Sequence, residues 1–264
     1  PGSSPDRFGR VTAAAVDGVR QRIALADAGL DRVAFVDLDR DPEGGLRLDP
    51  FMGRTAGTVS FDRIAAGVSA LSGVEPSPLE PVDLAPVDLK WLDDGSLLLL
   101  DERLGRLVVA TPPPATRPGH DPLPSEVVAV WGPRGSGGPD FEKPIALAVS
   151  PAGDAVAVLD AGPPGGPATI EVLSRDGLPR DSFELPPVLR SDDERPLVPG
   201  GLAWTEAGFA ITDRLADRLL LLDERGVLRH ETGTTGTADG ELWSPRGLAV
   251  REDGTVIVVD TGNH

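Results

Sequence analysis

At 264 residues, 40% hydrophobic and 25% charged, the chain has the composition of a globular protein large enough to bury a sizeable core. The lack of cysteine excludes disulfides, thiol nucleophiles and cysteine zinc sites, and a net charge of −17 argues against nucleic acid as a partner, because affinity for phosphate backbones is built on basic groups. No apolar run is long enough to span a bilayer as a helix, and the 32 Gly and 27 Pro punctuate short apolar runs in the manner of tight turns.

Taken in chain order, those runs repeat. VTAAAV at 11–16 is followed by IALAD ending at Asp27 and RVAFVD opening at Arg32. After a Pro- and Gly-rich tract the order returns as PVDLKW at 86–91, LLLLD ending at Asp101, RLVVA opening at Arg106 and EVVAVW at 126–131. It returns again as PIALAV at 144–149, VAVLD ending at Asp160 and, beyond AGPPGGP, ATIEVLS. A fourth copy has PGGLAW at 199–204, FAITD ending at Asp213 and RLLLLD opening at Arg218, and a fifth has PRGLAV at 245–250 and VIVVD ending at Asp260. Runs this short between Gly, Asp and Pro turns are predicted strands. A fourth strand per unit is predicted at 126–131, 180–185 and 227–231. Four antiparallel strands per unit, repeated, predict an all-β chain folded as a β-propeller, one domain over 1–264 with units at 6–79, 80–131, 132–190, 191–232 and 233–264.

Equivalent positions Val11, Pro86, Pro144, Pro199 and Pro245 are 75, 58, 55 and 46 residues apart. The shortest spacing is near a propeller repeat of roughly 40 to 50 residues, so the longer ones carry insertions, assigned to the tracts at 41–86, 111–124 and 161–167. A cryptic blade around TVSFDRIAAGVSALSG is the alternative for the first interval. The excess there is too short for four strands, which favours a long excursion of the first blade.

WGPRGSGGPDFEKPIALAVSPAGDAVAVLD and TGTTGTADGELWSPRGLAVREDGTVIVVDTGNH resemble the NHL repeat: a Gly-rich opening stretch, an aromatic, a Pro-x-Gly-hydrophobic-Ala-Val-Asp strand, a Gly turn, and a strand closed by Asp-(Thr/Ser)-x-Asn-x-Arg. The resemblance extends over nearly the whole chain, strongest in the copies at Pro144 and Pro245. It implies four-stranded blades, six of them in the native chain, in an architecture used for protein and sometimes RNA binding and related to lactonase, lyase and strictosidine-synthase-like enzymes. Asp6-Arg7-Phe8 stands where the first unit's opening stretch is expected, and the chain stops after Asn263-His264, one residue short of the family's Arg. The expectation is a piece of a longer polypeptide whose last blade is truncated, the native chain adding at least two strands and a further blade. Arg supplies nearly all the basic charge, with Lys only at 90 and 143. That usage suggests a GC-rich bacterium, and an extracytoplasmic location is expected.

Candidate residues divide by whether they recur. Asp27, Asp101, Asp160, Asp213 and Asp260 occupy the same position in every unit, so their expected role is structural, accepting hydrogen bonds from turn amides. Arg32, Arg106 and Arg218 recur likewise and are expected to tie turns or blades, pairing with the preceding Asp. His120, His230 and His264 share no spacing that would make a base or a metal site. The lyase relatives use His and Tyr near a central metal, and this chain has no Tyr. No Gly-x-Ser-x-Gly elbow is present either, Gly135-Ser136-Gly137 belonging to the Gly-rich start of a repeat.

Asp37, Asp39 and Asp41 alternate as in a calcium loop. Pro42 stands where the loop needs Gly, however, and Leu48 where it needs an acid, so calcium or another divalent ion is only a weak candidate and no cofactor is expected. Residues that break the repeat mark the binding candidates. Lys90 replaces Ala148, Ala203 and Ala249 beside Asp88, Arg246 follows Pro245 where Val87, Ile145 and Gly200 stand, and Trp243 takes the place of Glu142. Trp and Arg are enriched in binding hot spots. Trp91 and Trp204 replace Val149 and Val250 and are expected in the core. The favoured reading is a non-catalytic interaction or ligand-sensing propeller that binds a protein, peptide or glycan through its face loops. The alternative is a metal-dependent hydrolase or lactonase, for which Asp83 and Asp88 are the only non-repeating acids at an inner strand.

Overall fold

Each repeat begins with a strand whose first residue lies opposite the Asp that closes the next strand. The computed structural model describes residues 8–37, 39–40, 46–47, 55–60, 64, 84–112, 126–132, 141–186 and 196–263, and it divides into two compact units, 1–131 and 132–264. In the first, β1 (Val11–Asp17), β2 (Arg22–Asp27), β3 (Arg32–Asp37) and β6 (Thr55–Ser60) form an antiparallel four-stranded sheet in that order, with a short pair β4 (Asp39–Arg40) and β5 (Leu46–Arg47) between β3 and β6. A second sheet holds β7 (Pro86–Trp91), β8 (Leu97–Asp101), β9 (Arg106–Thr111) and β10 (Glu126–Trp131).

The second unit contains β11 (Pro144–Val149), β12 (Ala155–Asp160), β13 (Ala168–Ser174) and β14 (Pro179–Leu185) in one sheet. Another holds β15 (Pro199–Thr205), β16 (Gly208–Asp213), β17 (Arg218–Leu222) and β18 (Leu228–Thr232), and β19 (Pro245–Val250) pairs with β20 (Val256–Asp260). There are thus four four-stranded blades and two two-stranded sheets, β19–β20 and the short β4–β5 pair, among the described residues. The fourth strand of the first blade, at 55–60, falls inside the interval read from sequence as an excursion. It pairs with β3, so the extra residues lie before and after that strand.

Proline opens four of the five first strands and pairs with the Asp ending the second: Pro86 with Asp101, Pro144 with Asp160, Pro199 with Asp213 and Pro245 with Asp260. Proline has no N–H for the ladder. In all five repeats the register shifts within the next residues, between Val11/Ala13, Pro86/Asp88, Pro144/Ala146, Pro199/Leu202 and Pro245/Leu248. Arg five residues after Asp is its direct partner across the next hairpin, as in Asp27 with Arg32, Asp101 with Arg106 and Asp213 with Arg218. The Pro–Asp–Arg spacing of the sequence is therefore the register of three strands.

Within each unit the first strands of neighbouring sheets pack on one another: β1 on β7, β11 on β15, and β15 on β19. The middle strands β8, β12 and β16 are buried along their whole length, which explains continuous apolar runs such as VAVLD where a half-exposed strand would alternate. By contrast β20 alternates, with Ile257 46% and Val259 57% exposed. Trp91 donates its indole N–H to the Ala15 carbonyl at 3.1 Å and tilts against Phe35, and Trp204 packs on Phe209 with ring centroids 4.8 Å apart. Both indoles thus join core clusters, and together with Phe they contribute the ring packing that few aromatics allow.

The turn after β1 has its own carboxylate. Burial pushes the Asp17 carboxyl up, but the Arg20 amide and guanidinium, with the Val19 amide, outweigh it and hold it below its ordinary value. A depressed pKa gives stability that is present above the unfolded value and lost as pH falls through the folded one. The stability gap between the parent and Asp17→Asn is expected to narrow as pH drops through and below the ordinary carboxylate range, about 4. Urea unfolding between pH 7 and pH 3 checks this, and a constant gap contradicts it.

Candidate functional site

The five repeated carboxylates are occupied by backbone. Asp27 accepts the amides of Gly9, Arg10 and Gly29 at 2.9 to 3.2 Å. Asp101 accepts those of Ala85, Arg103 and Leu104 at 2.7, 3.0 and 2.9 Å, and Asp160 those of Glu142, Lys143 and Gly162 at 2.9, 2.8 and 2.9 Å. Asp213 accepts Val198, Leu215 and Ala216 at 3.2 to 3.3 Å, while Asp260 accepts Trp243 at 2.8 Å. In the first four repeats one side of the Asp thus holds the segment entering the first strand and the other caps the turn that follows. Leaving such amides unpaired in the interior is costly. Burial pushes the Asp101 carboxyl up, against the pull of its three amides.

The repeated arginines differ in detail. Arg218 donates to Asp213 Oδ2 from both Nε and Nη2 at 3.2 and 3.1 Å and to Glu231 from Nη1 at 3.2 Å, charge-assisted hydrogen bonds shared between two acids. Arg32 Nε stands 3.8 Å from Asp27 Oδ2, and Arg106 lies opposite Asp101 in the ladder.

Of the residues that break the repeat, Lys90 and Asp88 satisfy each other: Nζ donates to Oδ1 at 2.8 Å and to the Leu89 carbonyl at 3.2 Å, and the same Oδ1 accepts the Leu89 amide. Asp37 ends β3 and Asp39 lies in β4, while Asp41, Asp83, His120 and His264 fall outside the described residues. His230 is exposed on β18. Among the described residues no group of three or more His, Asp or Glu could hold a metal ion.

Arg246 has a neighbour that sequence reading missed. Arg214 follows Asp213 in the turn after β16, its amide bonded to the Val198 carbonyl at 2.9 Å, and its side chain runs over Gly200 toward β19. A Cβ on Gly200 would lie 2.6 Å from Arg214 Cγ and 2.8 Å from the Pro245 carbonyl oxygen, and one on Gly201 would lie 2.0 Å from the Arg246 carbonyl oxygen. Glycine at both positions is therefore a condition of the β15–β19 approach. The same Arg246 carbonyl accepts the hydroxyl of the fully buried Thr212 at 2.9 Å.

Burial, and then the charge of Arg246, lower the pKa of Arg214 from its ordinary value, so the two cations sense each other. Among the described residues Arg214 and Arg246 make no ion pair, and the buried Nε of Arg214 has no hydrogen-bond partner. Arg214 is half-buried and Arg246 exposed. Trp243, 53% exposed, lies against Gly262, where a Cβ would come 2.7 Å from the indole Cγ.

The signal that could have found this site is the coincidence of deviations. Where Gly200, Thr212 and Arg214 stand, the copy at Pro144 has Ile145, Leu159 and Ala161, whereas Gly201 keeps the Gly of the repeat, as Gly247 does. The three changes meet at one seam. Two guanidiniums without a carboxylate, in a chain of net charge −17, can take an anion through charge-assisted hydrogen bonds.

No protein-family model and no curated protein matches the sequence. Among solved structures the chain is similar to virginiamycin B lyase from Staphylococcus aureus, with TM-score 0.50 and 13% identity over 95% of this chain and 63% of that one. It is also similar to Chaetomium thermophilum Raptor, with TM-score 0.57 and 10% identity over 96% and 19%. A third is a protein of unknown function from Bacteroides thetaiotaomicron, with TM-score 0.56 and 13% identity over 96% and 53%. The chain spans less than two thirds of the length of each. Likeness at such identities shows the fold alone, a β-propeller, and propellers host unrelated functions.

Proposed function

We propose that this chain is a non-catalytic binding propeller, built of NHL-type repeats, that holds an acidic group of a protein, peptide or glycan at the seam between β15 and β19. The observation that carries the reading is the placement of the Arg214 stem over Gly200, beside the β19 backbone that carries Arg246, with no carboxylate bonded to either arginine among the described residues. Arg246 is the exposed contact, and Arg214 sits deeper, half-buried. Trp243 supplies an exposed ring on the same strand's approach, suited to the apolar or sugar face of a ligand. The repeated acids support the reading from the other side, since the backbone amides they hold leave them little capacity for chemistry. A metal-dependent hydrolase or lactonase would need converging acids, and no observation favours that alternative.

Binding of acidic and matched neutral peptides and oligosaccharides, measured by calorimetry, tests the proposal. The acidic members are expected to bind preferentially, and Arg214→Ala/Arg246→Ala to abolish the preference. Equal binding of neutral members, or full retention in the double variant, refutes it.

A further inference from the structure

In each four-stranded blade the second strand is paired on both edges, with the first strand on one side and the third on the other. β20 pairs with β19 alone, so among the described residues its second edge carries no strand. Its burial differs accordingly. No residue of β20 is fully buried, and Val259 is 57% exposed where Ala26, Leu159 and Thr212, each standing before the repeated Asp, are wholly buried. With no charge, Pro or Gly between Val256 and Val259 to blunt it, such an apolar edge is a template for an added strand.

The other repeats show what this edge receives. In three blades the strand on the corresponding edge runs antiparallel, opens with an Arg opposite the repeated Asp and continues through four apolar residues, as in RVAFV at 32–36, RLVVA at 106–110 and RLLLL at 218–222. Asp260 has the capacity for that Arg. Its Oδ1 accepts the Trp243 amide and its Oδ2 the Asn263 side-chain amide, and a carboxylate oxygen can take a second donor, as Asp213 Oδ2 does from Arg218. The apolar residues have a neighbour as well. Leu221 of β17 is partly buried and borders the same cluster as Val256 and Val258. On the opposite face of β17, Leu220 and Leu222 share a buried cluster with Ile170 and Val172 of β13, the third strand of its own sheet. A third strand on β20 would stand to Leu221 as β13 stands to those two leucines.

From the open edge, the position of Asp260 and the adjoining Leu221, we propose that β20 docks an extended segment of a partner polypeptide, added antiparallel, with an Arg opposite Asp260 followed by four apolar residues. Backbone hydrogen bonds to β20 supply affinity, and the Arg–Asp260 contact sets the register, since a slip of one residue turns every side chain to the other face. The chain's own segments of this pattern, in β3, β9 and β17, are paired on both edges, so none of them is the occupant. A second copy's β20 is not the occupant either, because Val256–Asp260 holds no basic residue to meet Asp260. The site involves neither Arg214 nor Arg246 and stands independently of the acidic-ligand reading.

Titration of a fluorescently labelled peptide RVAFVDLDR, a copy of residues 32–40, with the full chain tests the inference, with hydrogen–deuterium exchange to locate the contact. Saturable binding is expected, with slowed exchange of the β20 amides. The peptide with Gln in place of its first Arg is expected to bind at least about ten-fold more weakly, the loss of a charge-assisted hydrogen bond. Asp260→Asn, which keeps an acceptor for the Trp243 amide, is expected to weaken the Arg peptide by a similar factor and the Gln peptide far less, since the two changes remove one contact. Absence of binding, binding that leaves β20 exchange unchanged, or effects of the two changes that simply add overturns the proposal. A dimer in sedimentation whose β20 amides are protected without peptide overturns it too, by giving the edge to a second copy.

Discussion

Asp213→Ala is expected to lower the unfolding free energy by about 3–5 kcal/mol, the range seen when one partner of a buried ion pair is removed. Asp213 is fully buried and holds the Val198, Leu215 and Ala216 amides while accepting two N–H groups of Arg218, whose side chain is only 8% exposed. Truncation strands those amides and takes from Arg218 the carboxylate oxygen that accepts two of its N–H groups. Most of the cost comes from the stranded groups, so a second change should recover part of it: Asp213→Ala/Arg218→Met is expected to be more stable than Asp213→Ala alone. Urea unfolding of the two variants and the parent measures both effects. The same truncation at Asp260, which accepts a single backbone amide and lies in the half-exposed β20, should cost far less. Equal losses at the two positions would contradict the structural account of the repeated Asp.

Gly201→Ala is expected to cost at least about 2 kcal/mol, within the range for forcing atoms into a filled space, and to weaken anion binding at the same time. The added methyl would sit 2.0 Å from the Arg246 carbonyl oxygen and 3.4 Å from the Leu248 amide nitrogen. These are backbone atoms, which cannot swing aside as a side chain can. Relief requires β15 and β19 to separate, and that moves Arg246 away from Arg214. Gly18→Ala is the control, since nothing lies within 4 Å of a Cβ there. Such surface changes usually stay within about 0.5 kcal/mol. Parallel unfolding and acidic-ligand-binding measurements on Gly201→Ala and Gly18→Ala separate the seam from a general intolerance of added methyls.

The blades were legible in the sequence because their signals are local. Apolar runs such as LLLLD and VAVLD, closed by Asp and preceded by Pro, fix strand identity and register together, and β8 and β12 occupy the runs that carry those letters. The Arg five residues after Asp was legible for the same reason, being its cross-strand partner. The fourth strand of the first blade was not, because TAGTVS lacks the apolar run of its counterparts and lies in a tract rich in turn residues. Arg246 stood out from the repeat, but Arg214 did not. Turn positions vary freely among the copies, with Ala28, Glu102, Ala161 and Thr261 in its place. Its meeting with Arg246 depends on two glycines from a third segment allowing two strands to approach. That is a tertiary fact, which no single stretch of sequence contains.

Following the Nε–Hε resonances of Arg214 and Arg246 by nitrogen-15 NMR during titration with an acidic ligand is the most direct test of the account. Both signals are expected to shift together and saturably, at a common midpoint, while that of Arg218, already bonded to Asp213 and Glu231, stays in place. Saturable binding that leaves both seam resonances unmoved would show that the ligand sits elsewhere and would contradict the central claim.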